Sequence, residues 1–154
     1  MLTQLLMKRK TIEKAIQIDA SRKKIWEVLT DDSFTPRWYG EFSLGARPET
    51  TWEEGSKVLF TDLSGGGLVG EVIVNQPHLM LSVEYQGLVF AGEEDYTSED
   101  AMSVKGCEET YMITDREDQT ELSVRVGTVE DSFDSMNSAW ERALGKIKLL
   151  AEEV

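Results

Sequence analysis

The 154-residue sequence has one cysteine, one histidine, three prolines and few positive charges. A lone Cys107 excludes an internal disulfide and any multi-cysteine metal cluster. A lone His78 excludes a histidine-rich zinc site. Sixteen Lys and Arg stand against 29 Asp and Glu, a formal charge of -13, which repels phosphate backbones and anionic headgroups. Nucleic acid is therefore not an expected partner. No uncharged apolar run approaches the 18 residues of a membrane span. Leu2, Leu5 and Leu6 are followed by Lys8-Arg9-Lys10 instead of being preceded by a basic segment, which is the wrong order for a secretory leader. These features suit a cytoplasmic protein without metal or cofactor.

Apolar residues make up 40% of the chain and include four Trp, five Phe and four Tyr, enough for one core at this length. Residues 1–10 are expected to form a flexible N-terminal segment and residues 11–154 a single domain. In Thr11–Asp19, Ile12, Ile16 and Ile18 share one parity, the alternation of a half-buried strand. Asp19 or Ser21 is placed to cap a helix over Arg22–Thr30. A second short helix, limited by Pro36 and Trp38-Tyr39-Gly40, follows Asp31-Asp32-Ser33.

Short strands are then expected at 57–62, 68–75, 80–86 with an extension toward 90, 109–114 and 120–127. They are separated by Ser64-Gly65-Gly66-Gly67, by Asn75-Gln76-Pro77-His78 and by the polar stretch 115–119. Leu122, Val124 and Val126 face one way in the last strand, as in an antiparallel sheet with one wet face. Over 132–153, Phe133, Met136, Trp140, Ala143, Leu144 and Ile147 recur at steps of three and four, predicting a long helix. Between Gly92 and Glu109 lie seven acids and one Lys. There a loop is expected to carry a short helix over 98–105, capped by Thr97-Ser98-Glu99-Asp100.

This order resembles the helix-grip architecture of the START-like (SRPBCC) superfamily. The stretch TIEKAIQIDASRKKIWEVLTD is similar to that superfamily's opening, and Trp38-Tyr39 follows at the expected distance. Gly55-Ser56-Lys57-Val58, Gly70-Glu71-Val72, Leu81-Ser82-Val83-Glu84-Tyr85 and Thr120-Glu121-Leu122 resemble the branch named after the activator of heat-shock protein 90 ATPase. Asp95, Thr97-Ser98-Glu99 and Glu109-x-Tyr111 resemble an insertion of some stand-alone bacterial members. The resemblance implies an α+β fold: a curved antiparallel sheet wrapped around a long C-terminal helix, two short helices after the first strand, and a cavity between sheet and helix. Carriers, hormone receptors, polyketide cyclases and chaperone activators share that fold, so fold alone does not choose among them.

The residues narrow the choice. The glycines at 65–67 lack the Gly-Lys-Ser/Thr of a phosphate loop. His78 reads as an exposed turn residue, and Cys107, beside Glu108 and Glu109, as an inert thiol. Glu93, Glu94 and Asp95 lack the ligand alternation of a calcium loop and suit contact with a basic partner or a chaperone. Trp38, Phe42, Phe60, Tyr85, Tyr111, Met136, Trp140 and Leu144 are the candidates for lining a cavity, with Trp38 foremost for its place between Pro36 and Gly40. The expected activity is non-enzymatic binding of a hydrophobic or amphipathic, lipid-like molecule. The alternatives are a protein-interaction module, or a cyclase or hydrolase using a buried carboxylate or tyrosines.

Overall fold

The structure is a computed structural model that describes residues 8–153. The isoleucine alternation becomes β1 (Arg9–Ile18), with Ile12 and Ile18 buried. Helix α1 (Arg22–Thr30) starts where the Ser21 hydroxyl accepts the Lys24 N–H at 3.1 Å, and it buries Ile25, Val28 and Leu29. Asp31 Oδ1 accepts the Ser33 N–H and hydroxyl, turning the chain into α2 (Thr35–Tyr39). There follow β2 (Arg47–Glu49), β3 (Lys57–Thr61), β4 (Gly66–Gln76), β5 (Met80–Phe90), β6 (Glu93–Asp95), α3 (Glu99–Val104), β7 (Glu108–Asp115), β8 (Thr120–Val129) and α4 (Phe133–Glu152).

The strands form one antiparallel sheet in the order β1-β8-β7-β5-β4-β3-β2, with β6 added to the end of β5. Helix α4, about 30 Å long by its 20 residues, packs against β1, β8, α1 and α2. Trp140, Ala143, Leu144, Ile147, Leu150 and Ala151 are its buried stripe. This is the expected helix-grip α+β fold.

Three details differ from the sequence reading. Residues 1–7 lie outside the described residues, but the rest of the expected flexible segment does not: Arg9 and Lys10 belong to β1, because β8 runs on to Val129 and supplies their partners. The acidic stretch starts as strand β6, since Phe90, Val89 and Leu88 offer it a free edge. The three-residue β2 was not expected and pairs with β3 through Pro48 and Phe60. Among the described residues no helix is long and apolar enough to cross a membrane, and no group of His, Cys, Asp and Glu has metal-ligand geometry.

A cavity walled by a carboxylate and two tyrosines

Side-chain alternation on β7 turns Glu109, Tyr111 and Ile113 to the concave face. Glu109 therefore enters the core and is only 4% exposed. Val83 of β5 lies opposite Glu109, so Tyr85, two residues further along β5, is its diagonal neighbour on the same face. The end of α2 brings Tyr39 to the same point. Tyr85 donates its hydroxyl to Glu109 Oε1 at 2.5 Å, and Tyr39 donates to Oε2 at 3.1 Å. Tyr111 also donates to Oε2, and its hydroxyl lies 3.5 Å from that of Tyr39.

Burial raises the Glu109 carboxyl above the usual carboxylate range, an effect opposed by the hydrogen bonds from Tyr111, Tyr85 and Tyr39. Burial, reinforced by the Glu109 charge, pushes all three phenols well above their ordinary value, so they remain donors. A carboxylate has about four acceptor positions. The phenols take three, leaving one on Oε1.

Glu109, Tyr39 and Tyr85 form one wall of a cavity of about 140 Å³. Phe42, Phe60, Leu68, Met136 and Trp140 supply apolar walls, and we take as its mouth the side where the partly exposed polar lining, Ser43, Asp62 and Gly66, adjoins the exposed Leu44 and Leu63. The rings are interlocked: Phe42 meets Trp140 edge to face at 4.8 Å between centroids, and Phe60 meets Tyr85 at 6.1 Å. The Trp140 indole N–H is buried without a hydrogen-bond partner. Hydrogen bonds from Ser64 and Ser43 hold the Asp62 carboxyl below its ordinary value, so the mouth carries a negative charge.

Of the eight residues expected to line a cavity, Phe42, Phe60, Tyr85, Met136 and Trp140 are brought together around it. Trp38, Tyr111 and Leu144 are not among its lining. Trp38 is 0% exposed, gives its indole N–H to the Val28 carbonyl at 2.8 Å and stacks on Tyr39 at 4.0 Å, so it is core. Tyr111 stands behind the lining and acts on it through Glu109. Leu144 is one turn too far along α4 and is buried in the core.

The expected partner-contact acids lie elsewhere, along a surface groove with Phe90 and Tyr96. Glu94 pairs with Lys57 at 2.8 Å, and Asp95 accepts the N–H groups of Thr97 and Ser98. His78 is exposed in the β4–β5 turn, edge-on to Trp26. Cys107 is buried, which raises its thiol.

Glu109 and Tyr39 were missing from the expected lining. For Glu109 the signal was its parity: in Glu109-Thr110-Tyr111-Met112-Ile113 it shares the face of two apolar-bodied residues. Tyr39 carried no comparable signal, because a five-residue helix has no readable period.

Comparison with known proteins agrees with this fold. The family model described as "Activator of Hsp90 ATPase homolog 1-like protein" matches residues 19–152. No curated protein matches. Among solved structures, the Aha1 dimer from Colwellia psychrerythraea superposes with a TM-score of 0.67 at 23% identity, covering 93% of this chain and 96% of that one. Protein MLL2253 from Mesorhizobium loti gives 0.68 at 18% identity, covering 92% and 96%. DynU16, from the dynemicin biosynthetic locus, gives 0.63 at 15% identity; 90% of this chain spans 46% of that one. At these identities the likeness is one of fold.

Proposed function

Since the chain belongs to the Activator of Hsp90 ATPase homolog 1-like family, within the START-like superfamily, we propose that it uses its helix-grip cavity to bind a small apolar or amphipathic molecule. The carrying observation is the conjunction of an aromatic-walled cavity of about 140 Å³ with a hydrogen-bonding cluster at one wall. Pockets of this composition gain affinity from apolar contact and orientation from a few fixed polar groups. An apolar cavity of roughly 150 Å³ accepts benzene. The enclosed part of the ligand is therefore about one ring in size, and a longer apolar tail would lie outside the mouth.

The mouth suits such a tail. Leu44 and Leu63 are 78% and 75% exposed and lie beside the mouth residues Ser43 and Asp62, where the Leu63 N–H donates to the Leu44 carbonyl. Docking of a basic partner is the second reading, supported by the groove of Glu93, Glu94 and Asp95. It is weaker, because Glu94 is already paired with Lys57 within the chain.

Native mass spectrometry of protein purified without detergent, followed by titration of one-ring apolar compounds read at the Trp140 indole NMR signal, tests the proposal. Retained or added compounds should shift that signal, and Ala46→Leu, which adds bulk at the lining, should weaken their binding. A full panel with no uptake would refute it.

A further inference from the structure

The charged side chains that line the cavity are all of one sign. Its lining includes two carboxylates, Glu109 inside and Asp62 at the mouth, and neither Lys, Arg nor His. Glu109 makes its hydrogen bonds to three neutral phenols, and no cationic side chain pairs with it among the described residues. Burying a carboxylate without a countercharge is costly in proportion to its desolvation. Five aromatic rings, those of Tyr39, Phe42, Phe60, Tyr85 and Trp140, surround the same space. Ring faces are negative and attract cations within about 6 Å of their centroids.

We propose that the ligand enters head first with a protonated amine, which takes the remaining acceptor position of Glu109 while its apolar body fills the aromatic walls. The inference rests on the small-molecule reading above and specifies its chemical class. An ammonium supplies the missing countercharge and the missing donor at once, and it is attracted by the surrounding rings. Asp62 at the mouth favours its approach. A carboxylate or phosphate head would meet Glu109 and Asp62 with no cation to offset them. A neutral alcohol would satisfy the acceptor alone.

Three probes of equal body separate these cases: benzylammonium, benzyl alcohol and benzoate, titrated into the full chain at about 0.15 M salt, which screens diffuse attraction to the acidic surface. Binding is read at the Trp140 indole and by calorimetry. Benzylammonium should bind roughly tenfold or more tighter than benzyl alcohol, the margin of one charge-assisted hydrogen bond, and benzoate should not bind. Glu109→Gln should remove most of the advantage of benzylammonium over benzyl alcohol, because the charge that separates the two heads is gone. Asp62→Asn, which removes the second carboxylate of the lining, should lower benzylammonium affinity severalfold more than that of the alcohol. Benzoate binding as well as benzylammonium, or a preference for benzylammonium unchanged in both variants, would overturn the charge assignment and leave the cavity reading intact. Binding of none of the three would overturn both.

Discussion

A carboxylate kept from water by three phenols stores a pH dependence in a single side chain. The Glu109 carboxyl is raised above its ordinary value of 4.5 by burial. Between 4.5 and the raised value the folded protein holds a proton that the unfolded chain has released, so stability falls as pH rises through that window. Glu109→Gln cannot titrate. The difference in Tm between wild type and Glu109→Gln should therefore be most favourable to the wild type below pH 4.5 and decline as pH rises toward neutrality. A difference that grows with pH would contradict the burial of this group. The phenols have a separate effect. Tyr85→Phe leaves Glu109 Oε1 without its donor at 2.5 Å, and an unpaired buried acceptor costs about 1–3 kcal/mol. Urea unfolding at neutral pH should show that loss. The same variant should move the pH window of the Glu109→Gln comparison upward, because one of the bonds holding the carboxylate form is gone.

At the scale of strands and helices, two glycines should respond in opposite directions to the same added methyl group. A Cβ at Gly67 of β4 would fall 1.6 Å from the Phe60 carbonyl oxygen, which is backbone and cannot turn aside. Gly67→Ala should part β3 from β4, cost about 1–3 kcal/mol in chemical denaturation, and distort the cavity that Phe60 and Gly67 both line. Gly145, within α4, has nothing within 4 Å of the same position. Gly145→Ala should stabilise by roughly 0.5–1 kcal/mol through the helix's lower conformational entropy cost.

The elements also show what could be read from the residues. The regular ones were legible because one side faces water: Ile12 and Ile18 on β1, Leu122, Val124 and Val126 on β8, and the stripe of α4 keep their expected faces. The cap of α1 was legible as Asp19 or Ser21, and it is the Ser21 hydroxyl that accepts the N–H three residues on; at α3 the expected box lies one residue early, since Ser98 and not Thr97 caps a helix that starts at Glu99. The three-residue strands were not legible. The strands β2 and β6 have three residues each and exist only because a neighbouring edge is free to pair. Trp38 was misplaced for the same reason. Which face of a five-residue helix points inward is set by what packs on it, here Tyr39, Tyr111 and Trp140, and not by any period.

For the molecule as a whole, the question is whether its local ion pairs outweigh its net charge. The seven ion pairs among the described residues lie at the surface, where each contributes little. Against them stands a charge of -13, to which residues 92–109 contribute seven acids and one Lys. Self-repulsion should therefore win, and Tm should rise as sodium chloride is raised from about 10 to about 150 mM, where the screening length falls from roughly 30 to 8 Å. The sheet shows one place where that repulsion is concentrated. Glu84 of β5 is paired in register with Glu71 on one side and Glu108 on the other, three carboxylates in a row across the outer face. Like charges directly opposite are destabilising, and opposite charges are worth about 0.2–1 kcal/mol. Glu84→Lys exchanges two repulsions for two attractions, at the loss of the 2.8 Å hydrogen bond from Gln86. It should raise Tm by a few degrees at low salt, given roughly 2–4 °C per kcal/mol at this chain length. The gain should shrink as salt is added, since the wild type is then relieved of the same repulsion by screening. A gain independent of salt would mean that packing of the lysine stem, and not charge, stabilises the variant. A fall in wild-type Tm with salt would mean that the surface pairs, and not the net charge, dominate.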